Sequence, residues 1–271
     1  MMFPCALTVA GSDSSGGAGI QADLKTFTVL GVYGASVVTA VTAQNTQGVC
    51  AVEVLSPALV RAQLESVLSD LDFGAVKTGM LGTAAVVQET AAGLRERRIP
   101  LVVDPVMVSK SGHSLLSPEA QAAVVRHLLP LALVVTPNLH EANALTGLNI
   151  KSVDDMELAA RQLGQMGPAW VVVKGGHLEG DAADLVWDGR SATVLRSRRI
   201  ATRHTHGTGC SFASAIAAFL ALGDPVHRAI LRAKSFITRA IQTAPGLGRG
   251  HGPTNHLCWL GNPCPEFPTE E

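Results

Sequence analysis

Short apolar runs alternate with longer stretches of helical period along almost the whole chain, and no other feature restricts the fold as strongly. Residues 5–10 are an apolar run that stops at Gly11. A Gly/Ser-rich loop over 11–19 then leads into a helical pattern ending near Leu30-Gly31. Residues 35–43 are small, β-branched and apolar, and 49–55 alternate, which predicts strands reaching over a site as a flap. Further strands are expected at 75–77, 101–104, 132–136 and 170–174, with helices near 82–97, 139–146 and 153–165. Ser56-Pro57 and Ser117-Pro118-Glu119 set an N-cap before a proline, and Asp224-Pro225 repeats the pattern. Residues 185–187 and 193–195 suit a hairpin through Asp188-Gly189, and helices over 208–222 and 226–243 close the fold. This βαβα rhythm implies an α/β fold with a mostly parallel central sheet, helices on both faces and a small flap.

At 271 residues without a Pro/Ser-rich linker or charge block, the chain is expected to form one domain over 1–257, followed by a loosely ordered tail over 258–271. Lys and Arg number 21 against 22 Asp and Glu, a net charge of −1, so nothing in the balance favours nucleic acid or an anionic membrane as partner. The Arg196, Arg198, Arg199 cluster is most simply a solvated strand edge. No apolar run approaches a membrane span, and Met1-Met2-Phe3-Pro4 lacks the features of a signal peptide. Five cysteines without Cys-x-x-Cys argue for reduced thiols in the cytosol.

A parallel sheet concentrates chemistry at the carboxyl ends of its strands, and polar residues gather at those ends here. The ends read Gly11-Ser12-Asp13, Thr42-Ala43-Gln44-Asn45, Lys77-Thr78-Gly79-Met80, Asp104-Pro105-Val106-Met107, Thr136-Pro137-Asn138-Leu139-His140-Glu141 and Lys174-Gly175-Gly176-His177. Such convergence points to a small-molecule enzyme. His206-Gly207-Thr208-Gly209-Cys210-Ser211 sets a two-glycine turn and a thiol at a helix start, where unpaired amides and the helix dipole favour an anion. Cys210 in that field is expected to have a lowered pKa and to accept a proton from a substrate hydroxyl; the alternative is a small buried cysteine after a turn.

Two commoner phosphate motifs fail. Gly17-Ala18-Gly19-Ile20-Gln21-Ala22 fits a dinucleotide fingerprint, but no acid lies between Asp23 and Glu53 to hold a ribose. Gly11 to Gly17 imitates a P-loop spacing, with Gly17 where its lysine belongs.

The combination is far more specific. Residues 11–26, 39–46, Lys77-Thr78-Gly79-Met80-Leu81, Asp104-Pro105-Val106-Met107, Lys174-Gly175-Gly176-His177, His206 to Cys210, and Gly250-His251-Gly252-Pro253-Thr254-Asn255-His256 together resemble the bacterial hydroxymethylpyrimidine/phosphomethylpyrimidine kinases of thiamin synthesis. The likeness runs from about Ala6 to His256. It implies a ribokinase-like three-layer fold, use of ATP and Mg²⁺, and two successive phosphorylations of 4-amino-5-hydroxymethyl-2-methylpyrimidine.

By that resemblance, Gly207, Thr208, Gly209 and Cys210 form the anion hole, with Cys210 where sugar-kinase relatives carry an aspartate base. Gln44 reads the pyrimidine, for which its paired donor and acceptor suit it, and Gly11, Ala18, Met80 and Val106 line the ring pocket. Gln44 as a solvent-facing polar residue, and Met80 and Val106 as plain core, are the alternatives. Asp104 and Glu141 stand near Mg²⁺ with Asn138 beside them, although Asn138 and Glu141 equally suit a helix capping box. Lys174 neutralises an ATP phosphate. His177, His204 and His206 have no expected catalytic role. A pyridoxal/pyridoxine kinase and a non-catalytic pyrimidine sensor are the rival functions. A homodimer joined through the 35–55 flap is expected by fold analogy.

Overall fold

The computed structural model describes residues 3–107, 116–176, 182–260 and 269–270. The expected rhythm is realised: β1 (Cys5–Asp13), α1 (Gly19–Val29), β2 (Tyr33–Asn45), β3 (Gly48–Val54), α2 (Pro57–Asp70), β4 (Ala75–Thr78), α3 (Ala84–Leu94), β5 (Leu101–Val103), α4 (Pro118–Ala123), β6 (Val134–Val135), α5 (Leu139–Thr146), α6 (Val153–Gly164), β7 (Trp170–Lys174), β8 (Ala182–Trp187), β9 (Ala192–Ser197), α7 (Thr208–Ala221), α8 (Val226–Gln242) and β10 (Thr269–Glu270). The strands join one sheet in the order β10-β9-β8-β7-β6-β5-β4-β1-β2-β3. From β2 to β7 the neighbours are parallel, and the outer pairs β2–β3, β7–β8, β8–β9 and β9–β10 are antiparallel.

Because side chains alternate along a strand, the central strands feed two cores. Leu7, Val9, Val76, Val103, Val135 and Val171 pack beneath α2 to α6, whose Leu64, Val86, Ala120, Leu139 and Met156 meet them. Ala6, Ala75, Val102, Val134 and Val172 pack against Phe27 of α1, Phe212 and Phe219 of α7, and Phe236 of α8. The result is the three-layer, ribokinase-like arrangement.

Ser56 and Ser117 cap α2 and α4 as expected, accepting from the amides of Leu59 and Ala120 at 3.3 Å. Asp224 does not cap α8. Pro225 takes that position, and Asp224 pairs instead with Arg228 and Arg232. The flap is a continuation of β2: residues 33–38 and, past a register shift, 41–42 pair with β1, while 40–45 pair with β3 on the other side. The expected tail begins too early, because Cys258 and Trp259 are buried, with Trp259 against Phe219 and Phe236. Thr269–Glu270 pairs with β9, while 261–268, most of the expected tail, lie outside the described residues.

Candidate functional site

A cavity of about 610 Å³ runs along the carboxyl ends of the strands, and every residue expected at the site lines it. Its lining follows the strand order. Gln44 comes from β2, Gly11 from β1, Met80 after β4, Asp104 and Val106 after β5, Asn138 and Glu141 after β6, Lys174 from β7, and Asp184 and Ser197 from β8 and β9. Ala18 enters from the loop before α1, and residues 207–210 enter midway, at the start of α7. His177 lies outside the described residues.

The first helical hydrogen bond of α7 runs from the Ser211 amide to Gly207 O at 2.9 Å, so the amides of Gly209 and Cys210 precede the helical ladder. Thr208 is tied back by its hydroxyl to Thr205 O at 2.7 Å. Gly207 adopts φ +77°, and a Cβ there would overlap Gly17 O in the loop before α1. The two glycine runs therefore brace each other, a contact that neither motif announces. Gly207→Ala is expected to cost about 2 kcal/mol or more of stability and to slow turnover about 10²-fold by displacing the helix start; urea titration and steady-state kinetics read the two effects.

Cys210 departs from expectation. Burial pushes its thiol up to about 11, Lys77 opposes the rise, and the nearby charges of Asp23 and Asp104 add to it. The lowered pKa expected from the helix terminus is thus corrected: desolvation, joined by the two buried carboxylates, outweighs the cation of Lys77. The resting thiol is neutral.

Beside the start of α7, Lys174 Nζ donates to Asp104 Oδ1 at 3.0 Å. Burial opposes the lysine's charge, but Asp104 and Glu141 hold its pKa above the ordinary value. A Cβ on Gly209 would stand 3.3 Å from that Nζ and 3.4 Å from Asp104 Oδ2, so the glycine lets this pair approach the helix. Asn138 and Glu141 do form the capping box: Asn138 Oδ1 accepts from the Glu141 amide at 2.9 Å, and Glu141 Oε2 accepts from the Asn138 amide at 2.8 Å. Capping and cavity lining coexist. Burial raises the Glu141 carboxyl to about 7; Lys174 pulls it down and the charge of Asp104 pushes it up.

Three further groups escaped the sequence reading. Asp13 Oδ2 lies 2.7 Å from His206 Nε2, beside Gln44. On the cavity floor, Lys77 Nζ donates to Asp23 at 2.8 and 2.9 Å, and Thr8 and Ser214 donate to the same carboxylate at 2.6 Å. Burial opposes the Lys77 charge, yet Asp23 keeps its pKa above the ordinary lysine value. At the far end, Lys234 donates to Asp184 at 2.7 Å. A charged residue inside an apolar strand or helix face was the available signal, as for Lys77 between Val76 and Thr78, but pairs distant in sequence cannot be matched without the fold.

Comparison with known proteins gives this geometry a family. The phosphomethylpyrimidine kinase family model matches residues 13–255. A hydroxymethylpyrimidine/phosphomethylpyrimidine kinase of Rhizobium meliloti is 53% identical over 261 residues, covering 94% of this chain and 98% of the relative. A thiamine biosynthesis bifunctional protein of Geobacter sulfurreducens is 54% identical over 253 residues, covering 93% of this chain and 52% of the relative, so the chain spans about half the length of that protein. The pyridoxal kinase of Staphylococcus aureus, solved in complex with AMP-PCP and pyridoxal, is 36% identical with a TM-score of 0.89, covering 100% of this chain and 98% of that one. With the match spanning most of its length, the chain belongs to the phosphomethylpyrimidine kinase family.

Proposed function

We propose that this protein transfers the γ-phosphoryl group of ATP to the hydroxymethyl group of 4-amino-5-hydroxymethyl-2-methylpyrimidine, and then to the monophosphate so formed, in thiamin synthesis. The observation that carries the reading is one continuous cavity that Gln44, Gly11, Ala18, Met80 and Val106 line together with the start of α7. ATP occupies the length from the α7 terminus towards β8 and β9, where Ile200, Phe212, Ile237 and Ile241 offer apolar surface to a purine.

The chemistry is mainly alignment and charge stabilisation. The Gly209 and Cys210 amides and Lys174 face the transferring phosphoryl group, and the minor thiolate form of Cys210 takes the proton from the attacking hydroxyl. Asp104 and Glu141 are chemically fit to hold Mg²⁺ through its waters: both are hard carboxylate donors, and burial leaves Glu141 poised near neutrality, where an adjacent cation favours its charged form. Asn138 supports that pair through the capping box. When bound, Mg²⁺ supplies neutralisation of phosphate charge.

An ADP-release assay with hydroxymethylpyrimidine, its phosphate, pyridoxal and ribose tests the reading. The two pyrimidines are expected to drive turnover best. Equal or better turnover with ribose would refute the acceptor assignment, and tight pyrimidine binding with no ADP formed would make the protein a sensor. Among the described residues no helix is long and apolar enough to cross a membrane. The exposed Val41, Ala43 and Ala51 on one face of β2–β3 support a homodimer through the flap, readable by sedimentation.

A further inference from the structure

Gly250-His251-Gly252-Pro253 belongs to the motifs that carry the family resemblance, yet no residue of 242–260 lines the cavity. What this segment touches is the tip of the flap. β2 and β3 are joined by Thr46-Gln47, a turn closed by Asn45 Oδ1, which accepts from the Gln47 amide at 2.8 Å. Thr46 is held at two atoms. Its carbonyl accepts from the His251 amide at 2.8 Å, and its Oγ1 accepts from the Gly250 amide at 3.2 Å. A Cβ on Gly250 would overlap Thr46 O, and one on Gly248 would overlap Thr46 Oγ1, so the absence of side chains there is what lets the flap tip seat.

The other edge of the same segment is fastened beside the start of α7. Gly252 O accepts from the His206 amide at 3.0 Å and His206 O from the Thr254 amide at 3.3 Å, directly before Gly207. Further on, the Asn255 amide donates to Ala240 O of α8 at 2.9 Å, and Cys258 and Trp259 are buried in the core. The flap has less to hold it, since β3 is the last strand of the sheet and most of its residues are exposed. When the contact is disturbed, the flap is therefore the side that yields.

Gln44 lies two residues before Thr46. Ser14 Oγ ties its backbone to the loop before α1, donating to Gln44 O and accepting from the Gln44 amide, both at 2.8 Å. Thr46 supplies a second tie, from the opposite side of the site. We propose that Thr46 is a positioning residue for the acceptor: clasped by the Gly250 and His251 amides, it holds the flap so that Gln44 faces the cavity, although Thr46 itself does not line it. The inference rests on the reading of Gln44 as the group that faces the pyrimidine. Hydrogen bonds weaken steeply below about 120°, so a small displacement of the tip is felt by a carboxamide two residues along.

Dissociation constants for hydroxymethylpyrimidine and for AMP-PCP, by isothermal titration on the intact chain and its variants, test the proposal. Gly250→Ala is expected to weaken the pyrimidine about tenfold or more and to leave AMP-PCP within about twofold, because the flap moves and the start of α7 does not. Thr46→Val keeps the shape, removes the Oγ1 acceptor, and is expected to weaken the pyrimidine in the same selective way. Thr46→Ser keeps the hydroxyl and is expected to bind both ligands as the intact chain does. In the Gln44→Leu background, Gly250→Ala is expected to weaken the pyrimidine little further, since the clasp acts through Gln44. If Gly250→Ala shows no cooperative thermal transition, the Thr46→Val and Thr46→Ser pair carries the test. Equal weakening of both ligands, or Thr46→Ser binding no better than Thr46→Val, would make the clasp a structural support only and overturn the proposal. If Gln44→Leu itself leaves pyrimidine binding unchanged, the reading of Gln44 fails. If Gln44→Leu weakens the pyrimidine and the clasp variants do not, the role of Thr46 alone fails.

Discussion

Cys210→Ala is expected to slow phosphorylation of the hydroxymethyl group by about 10²- to 10⁴-fold and phosphorylation of the monophosphate far less. In the first step a neutral alcohol must lose a proton as it attacks. In the second the nucleophile is a phosphate oxygen already ionised at pH 7, with its second pKa near about 6. The raised pKa of the thiol sharpens the expectation. With the group pushed up to about 11, its reactive thiolate is a minor species at neutral pH, on the order of 10⁻⁴ of the total, and that share grows tenfold with each pH unit until about 11. Alcohol phosphorylation should therefore climb steeply from pH 6.5 to 8.5 in the wild type and lose the climb in Cys210→Ala. Monophosphate phosphorylation should be nearly level over the same range in both. Single-turnover rates at saturating ATP read both steps. An equal fall in the two steps, or a level profile for the alcohol, would remove Cys210 from the role of base.

Lys77→Met is expected to cost about 3–5 kcal/mol of folding stability, the largest loss foreseen for a single side chain here. Lys77 and Asp23 are both fully buried, and the cation compensates a carboxylate that otherwise has only the Thr8 and Ser214 hydroxyls. Removing it strands a charge in the protein interior. The stranded carboxyl must then have a folded pKa above its unfolded value of about 3.9, so the penalty is present at neutral pH and shrinks as pH falls through that raised folded value. Adding Asp23→Leu should return part of the loss, because it removes the uncompensated charge. Urea titrations at pH 7 and near pH 4.5 read all three expectations. A loss below about 1 kcal/mol at pH 7 would place Lys77 among ordinary surface-like pairs.

The two cases differ in how far the chain alone reveals them. Cys210 is visible because local features coincide: a two-glycine turn, a helix start and a thiol fall within six consecutive residues. Its acidity was misjudged for a reason that is not local. Asp23 and Asp104 are 187 and 106 positions away (210 − 23 and 210 − 104), and only the packing of α1 and of the end of β5 against α7 sets their charges close enough to raise the thiol. Lys77 and Asp23, 54 positions apart, illustrate the same limit. Each looks like a misplaced charge until the pairing exists.

The alternation of apolar period and turn residues determined the α/β class, the places of most strands and helices, and the rim on which the polar residues gather, because burial period and capping are properties of neighbours in sequence. The capping box of α5 belongs to this legible part, with Asn138 and Glu141 three residues apart. Tertiary structure alone decided that Gly207 rests on Gly17, that Trp259 belongs to the core and not to a tail, and that His206 meets Asp13 beside Gln44. Those outcomes depend on charge, desolvation and contact between segments far apart along the chain, and such energies acquire values only when the sheet order brings the segments together.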